Sequence, residues 1–373
     1  MIRFASLTVA CSWLLGCGAA DGKMQTNLAA FLSAVGDETD PSDSRYKYSG
    51  RIDFSDSANP VIFYGGSIIN VKFKGTSLKA KFSDNSNNDT KVGFIIDGGD
   101  LIIKEVDKNA SKQEITIATG LSDGTHTLEI IKLEGPGNGN RGLVFHGLVL
   151  DEEKGILAGE KPALKIEVFG DSVTEGASAG CAEGDGDCGD NNAYLSFANT
   201  LARDLNADIH NNGIAGLAVR SGTGYFESGN TGLDATYDKL SPSSEGGFSR
   251  TDWDFGRYTP DLVIMAMGVN DEYGNGLDDV PTWKNAYKAI ARDIYEKYGN
   301  DKNRPFIFAP APIWARNADK YAEEVANELK QEGYNTWFYN YSFEAQNGHP
   351  DRVESKKMAS ELKQFIETNN ILN

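Results

Sequence analysis

Hydrophobic and polar positions follow two different periods along this chain. Over the first part, short apolar runs alternate with polar residues at Val61–Tyr64, Ile68–Phe73, Leu78–Phe82, Val92–Ile96, Leu101–Val106, Glu114–Ala118, His126–Leu133 and Gly142–Leu150. Clusters such as Asn85–Asp89 and Gly135–Asn140 separate them and read as turns. Short strands at even spacing predict an all-β sandwich of jelly-roll type over residues 46–155. No run there has the length of an ordinary helix.

The period then changes. Strands are predicted at Leu164–Phe169, Asp208–Asn211, Leu262–Gly268, Pro305–Ala309 and Thr336–Tyr339. Helices are predicted between them at Asn192–Leu205, Thr282–Tyr298 and Asp319–Glu332, and after them at Arg352–Thr368. In the last helix Met358, Leu362, Phe365 and Ile366 share a face. Asn317 and Gly333 serve as start and stop signals for the third. Strand–helix alternation implies a parallel sheet covered on both faces, an α/β/α three-layer domain over residues 160–373. No internal repeat or low-complexity tract interrupts this order.

A chain of 373 residues is comfortable as two domains. Hydrophobic residues make up 40% and charged residues 24%, which supports a packed core. The net charge of −18 disfavours nucleic acid and anionic membrane as ligands. Met1-Ile2-Arg3 followed by the apolar stretch Phe4–Leu15 reads as an export signal over residues 1–17, too short to span a bilayer. Leu14-Leu15-Gly16-Cys17 resembles a bacterial lipobox, so Cys17 is the expected lipidation site; the alternative is an ordinary signal peptide. Residues 18–45 read as a linker, with a weakly helical piece at Leu28–Val35. The expected location is the cell envelope or the exterior, with membrane contact only through the lipid, and the expected state is a monomer.

Beyond Cys11 and Cys17, the sequence holds Cys181 and Cys188, which flank an acidic loop. Two near cysteines in an oxidising compartment more often pair than bind metal. The alternative is a calcium loop built from Glu183, Asp185, Asp187 and Asp190, but the spacing of a full calcium loop is missing. No metal and no organic cofactor is expected.

The candidate chemistry sits where strands end. Ser172 follows the first strand of the second domain in Gly170-Asp171-Ser172; Asn270 follows the third in Gly268-Val269-Asn270-Asp271; His349-Pro350 precedes the last helix. One carboxyl edge of a parallel sheet can gather such residues. A serine hydroxyl needs a base to become a nucleophile, and an amide side chain can hold an oxyanion. His126 and His146 lie in the β domain and His210 in a predicted strand, which leaves His349 as the base. Gly176-Ala177-Ser178-Ala179-Gly180 makes Ser178 a formal rival, but a nucleophile elbow must join a strand directly to a helix.

These blocks, with Asn211-Asn212-Gly213-Ile214-Ala215-Gly216, resemble those of the SGNH (GDSL-type) hydrolases. Arg51, Tyr64-Gly65-Gly66-Ser67 and Phe73-Lys74-Gly75-Thr76-Ser77 in the preceding domain are similar to carbohydrate esterase family 2. The resemblance covers residues 46–373. It implies a serine esterase that removes acetyl groups from plant polysaccharide such as xylan or glucomannan. It also implies an oxyanion hole from the N–H groups of Ser172 and Gly216 with the Asn270 amide. Relatives carry Asp two or three residues before the histidine, where this chain has Asn347 and Gln346. The expectation is therefore a Ser172–His349 dyad, helped by Asn347 or a backbone carbonyl, with Glu344 the only near carboxylate in sequence. Trp314 and Tyr273 are candidate sugar contacts, or ordinary packing residues. Two other classes stay open: an SGNH lipase or lysophospholipase, and a non-catalytic glycan-binding lipoprotein.

Overall fold

The structure, a computed structural model, describes residues 37–84, 86–136, 142–224, 232–241, 251–313 and 316–372. The expected leader with Cys17, most of the linker with its helical piece at Leu28–Val35, and Trp314 lie outside the described residues.

In the first domain five longer strands run antiparallel: β1 (Ile68–Asp84), β2 (Thr90–Ile96), β3 (Ile102–Val106), β4 (Gln113–Lys132) and β5 (Leu143–Leu150). Five short strands complete a ten-stranded sheet. The sheet curls around one core that includes Phe73, Phe82, Phe94, Phe145 and Leu148. Runs that the pattern separates at residues 74–77 belong to one strand, β1, and likewise His126–Lys132 continues Glu114–Ala118 in β4.

A bulge explains the difference. The pairing of β1 with β4 shifts register between Gly75 and Ser77 and again between Leu78 and Lys79. Before it, Ile69, Val71 and Phe73 face the core; after it, Leu78, Ala80 and Phe82 do. Odd positions thus give way to even ones, because an extra residue flips the alternation while the strand bends. Gly75 has φ +133°, and a Cβ there would lie 2.7 Å from Asp151 Oδ2. That oxygen accepts the Thr76 N–H (2.5 Å) and the Ser77 N–H (3.2 Å), groups the ladder has released.

The second domain has five parallel strands: β6 (Leu164–Gly170), β7 (Ala207–Gly213), β8 (Leu262–Ala266), β9 (Phe306–Phe308) and β10 (Thr336–Phe338). Their spatial order is β7-β6-β8-β9-β10. Helices α1 (Ser172–Glu175), α2 (Phe197–Asp204), α3 (Val269–Tyr273), α4 (Val280–Lys297), α5 (Asn317–Gln331) and α6 (Arg352–Thr368) follow in sequence. One face of the sheet packs Phe197, Leu201, Met358, Leu362 and Ile366 of α2 and α6. The other packs Trp283, Tyr287, Ile294, Val325 and Leu329 of α4 and α5. Both faces are apolar, so the strands read as continuous hydrophobic runs.

The predicted helix Asn192–Leu205 begins instead as a single 3-10 turn at Ala193–Leu195, and Ser196 then caps α2 by accepting the Asn199 N–H.

The two domains are joined by buried polar contacts. Arg51 is fully buried and donates to the carbonyls of Tyr237 (2.7 Å) and Lys239 (2.8 Å) and to Glu167 Oε1 (3.0 Å) in β6. Its guanidinium also lies over Phe169, Trp253 and Phe255. Asn212 and Tyr298 donate to the same Glu167 carboxylate, which satisfies the buried charge from several sides. Asn199 Nδ2 reaches the Gly66 carbonyl at 2.9 Å, and the Ala193 N–H reaches that of Leu133 at 2.8 Å.

Candidate active site

Strand order places the site. The order β7-β6-β8 makes β6 the strand from which the chain leaves in both directions, and ligands bind outside the carboxyl ends at such a switch. Gly170 is in register with Gly213 of β7 and with Ala266 of β8. Ser172, the turn at residues 214–217 and the segment 268–270 therefore leave the sheet at one level. Asp171 caps α1 by accepting the Val173 N–H, which sets Ser172 as its first residue.

Ser172 Oγ lies 2.7 Å from His349 Nε2, across 177 residues of sequence. His349 Nδ1 lies 2.9 Å from Asp187 Oδ1, and the same oxygen accepts the His349 backbone N–H (3.0 Å) and the Ser178 hydroxyl (3.1 Å). A proton on Nδ1 donated to that carboxylate leaves Nε2 as the acceptor for the serine hydroxyl. Partial burial pushes the Asp187 carboxyl up. The His349 backbone N–H, the histidine's charge and ring N–H, and the Ser178 hydroxyl outweigh it and hold the group below the ordinary carboxylate value.

This corrects the expectation for the histidine's partner. Asn347 turns away, its Nδ2 donating to the Gly184 carbonyl at 3.3 Å, and Glu344 is exposed. The group at Nδ1 is a side-chain carboxylate, and it comes from the loop between Cys181 and Cys188, which are joined as a disulfide. The two loops touch closely at Gly348, which has φ +101° and where a Cβ would lie 2.3 Å from Asp187 Oδ2. Ser178 has a positive φ of 58°, is buried, and spends its hydroxyl on Asp187.

The other histidines are occupied elsewhere. His126 Nδ1 meets Asp97 and His146 Nδ1 meets Asn59. His210 is buried against Tyr258, and burial drives its imidazole well below the ordinary value, so it stays neutral.

Asn270 is 4% exposed, and its Nδ2 donates to the Leu217 carbonyl at 3.1 Å, which fixes the amide while a second Nδ2–H remains. Glu175, which the sequence reading did not single out, is buried and accepts the Ala215 N–H at 2.6 Å, holding the turn that carries Gly216. Its only sequence signal is its place one helical turn after Ser172. Asp271 accepts the Val219 N–H with both oxygens. Burial pushes the Asp171 and Asp271 carboxyls up to about 7 each, and for Asp171 the neighbouring Asp271 adds to the rise.

A cavity of about 320 Å³ opens beside α3, lined by Glu272, Tyr273, Pro310, Ile313, Arg316 and Asp319. Tyr273 is 63% exposed at its rim. A second cavity of about 500 Å³ lies between the domains, at the amino end of β7, away from Ser172. Among the described residues no group of three or more His, Cys, Asp or Glu side chains is placed to hold a metal ion. No described helix is long and apolar enough to cross a membrane.

Comparison with known proteins matches both domains. Residues 168–348 match the GDSL-like lipase/acylhydrolase family, and residues 48–159 match the carbohydrate esterase 2 N-terminal domain. The chain thus joins a carbohydrate esterase 2 N-terminal domain to a GDSL-like lipase/acylhydrolase domain. It is 27% identical over 331 residues to an acetylxylan esterase/glucomannan deacetylase of Cellvibrio japonicus, covering 86% of this chain and 88% of that protein. It is 28% identical over 335 residues to the cellulase/esterase CelE of Acetivibrio thermocellus, covering 84% of this chain but spanning only 38% of that protein's length. The fold is shared with a family two carbohydrate esterase from Cellvibrio japonicus, at TM-score 0.77 and 23% identity, covering 90% of this chain and 99% of that one. It is also shared with a family two carbohydrate esterase from Clostridium thermocellum in complex with cellohexaose, at TM-score 0.74 and 24% identity, covering 88% and 100%.

Proposed function

We propose that this protein is a member of carbohydrate esterase family 2 and removes O-acetyl groups from carbohydrate, with acetylated xylan or glucomannan as the substrate class. The observation that carries the reading is the Ser172–His349 contact of 2.7 Å at the carboxyl edge of the sheet, with a carboxylate behind the imidazole. Ser172 Oγ attacks the acetyl carbonyl while His349 Nε2 takes its proton. The N–H groups of Ser172 and Gly216 and the Asn270 amide bind the oxyanion. Collapse expels the sugar alkoxide, which takes the proton from His349, and leaves an acetyl ester on Ser172. Water, deprotonated by His349, then attacks that ester; the bond to Ser172 Oγ breaks, Oγ takes the proton back from His349, and acetate leaves.

The exposed ring of Tyr273, on the helix that carries Asn270, suits contact with a sugar ring. The relatives' names supply the substrate class, and the disulfide suits an oxidising compartment, in keeping with export. The test is acetate release from a panel of acetylated glycans, run beside p-nitrophenyl esters of increasing acyl length. Acetate release from xylan or glucomannan with preference for acetyl supports the proposal. A preference for long acyl chains with silent glycans would make the protein a lipase.

A further inference from the structure

We propose that Asp187 is the positioning residue for His349 and that the Cys181–Cys188 disulfide holds it in place, so that opening the bridge disarms the site. This rests on the reading of Ser172 and His349 as the catalytic pair. Three donors converge on one Asp187 oxygen, and two of them belong to His349. That geometry fixes both the ring's tautomer and the backbone that carries it.

Beyond Asp187 the segment is next held at Asp190, whose carbonyl accepts the Gly180 N–H (2.9 Å) and whose carboxylate pairs with Lys91 (3.0 Å). Residues 182–185 and 187–189 are exposed; Gly186 between them is buried against Asn347 but has no side chain to pack. Cys181, by contrast, is 2% exposed, and its carbonyl accepts the Arg352 N–H at the start of α6 (3.2 Å). The bridge ties Cys188, the neighbour of Asp187, to that fixed point. Two further bonds hold the middle of the loop: Gly184 N–H to Asp351 Oδ2 (2.8 Å) and Asn347 Nδ2 to the Gly184 carbonyl. They hold Gly184, three residues short of the aspartate. In the relatives that carry Asp two or three residues before the histidine, the carboxylate sits on the histidine's own loop. Here it is borrowed from a loop 162 residues away in sequence, and a covalent bond supplies the rigidity that sequence proximity would otherwise give.

The chemistry of opening is thiol–disulfide exchange. A dithiol reductant attacks the bridge as thiolate, forms a mixed disulfide, and closes on itself; the protein gains two thiols and the reductant becomes a cyclic disulfide. Cys188 is exposed, so the bridge is reachable from solvent.

The experiment uses the full oxidised protein and p-nitrophenyl acetate, with thermal unfolding as the folding control. Asp187→Asn should lower kcat by about 10²–10⁴ with KM little changed, and Asp187→Glu should recover part of it. Reduction with dithiothreitol followed by alkylation should lower kcat in the wild type but add little in Asp187→Asn, since the two changes act on one interaction. A second readout needs no turnover. The His349 Nδ1–H, held by a carboxylate, should give a low-field proton resonance in oxidised wild type. It should be lost in Asp187→Asn and on reduction. His349→Gln assigns it against His126, whose Nδ1 also faces a carboxylate. An unchanged kcat and resonance in Asp187→Asn would overturn the positioning role. An unchanged kcat and resonance after full reduction would overturn the role of the disulfide. A protein that hydrolyses no ester yet shows the predicted resonances would refute the esterase reading and leave the positioning intact.

Discussion

Asn270 and Asp271 are neighbours with different tasks. The Asn270 amide is fixed by the Leu217 carbonyl and keeps a second N–H, which in the proposed mechanism meets the reacting oxygen. Asn270→Ala should therefore lower kcat by about 10²–10³, the usual effect of losing one oxyanion donor, in a protein that still folds but is less stable by about 1–3 kcal/mol for the loss of the bond to Leu217. Steady-state kinetics on p-nitrophenyl acetate check this. Asp271 is buried with its carboxyl pushed up to about 7. A carboxyl whose folded value lies above its unfolded one keeps its proton longer in the native state. Its contribution to stability is most favourable below the unfolded value of about 4 and is lost as pH rises through about 7. Asp271→Asn removes that loss, so the stability difference between about pH 5 and about pH 8 should shift in favour of the higher pH relative to wild type. Urea denaturation at the two values measures it; an unchanged difference would show that Asp271 does not carry the effect.

Among the residues at the site, Ser172 and Asn270 were legible because each sits in a short motif where a strand ends, and His349 because it sits in one just before the last helix. The carboxylate beside His349 was not. Asp187 and His349 are linked only in space, and Asn347, where relatives carry Asp, drew attention to the wrong loop. The one available signal was the cysteine pair framing an acidic stretch beside the nucleophile.

The period-two and period-3.6 patterns located the parallel strands and the long helices to within a few residues, because each buries a continuous face. They failed at Gly75-Thr76-Ser77, whose composition reads as a turn. The structure runs one strand through it, and the change from odd to even core positions is the trace a bulge leaves in sequence. The Asp151 carboxylate satisfies the groups that the bulge frees, and hydrogen bonds led by that from the Ser77 hydroxyl hold it below the ordinary value. Asp151→Ala should destabilise the protein by about 1 kcal/mol, since it leaves part-buried donors without their partner and removes charge-assisted bonds. A depressed carboxyl contributes stability above its unfolded value and loses it as pH falls through the folded one. Asp151→Asn should then flatten the fall in stability below about pH 4. Urea denaturation at several acidic pH values distinguishes this from a purely steric effect, which would have no pH dependence.

The two domains are coupled through Arg51, a residue of the β domain buried in the hydrolase domain against Glu167. The sequence marked Arg51 through the family resemblance, but only the fold shows that it closes a buried charge under the strand leading to Ser172. Arg51→Ala leaves Glu167 without its cation and should cost about 3–5 kcal/mol. A single unfolding transition at lower denaturant would agree; two separate transitions, with the hydrolase domain unaffected, would show independent units. For the same reason a chain beginning near residue 160 should not keep full stability, since it loses Arg51 and uncovers Trp253 and Phe255. The central claim is that the hydroxyl of Ser172 carries the acetyl group. It is tested most directly by acetate release from acetylated glucomannan and xylan with wild type, Ser172→Ala and Ser178→Ala, each shown to be folded. The account predicts release by wild type, none above background from Ser172→Ala, and a loss of no more than about tenfold in Ser178→Ala, the effect of one hydrogen bond to Asp187. Activity retained in Ser172→Ala, or abolished in Ser178→Ala alone, would contradict it.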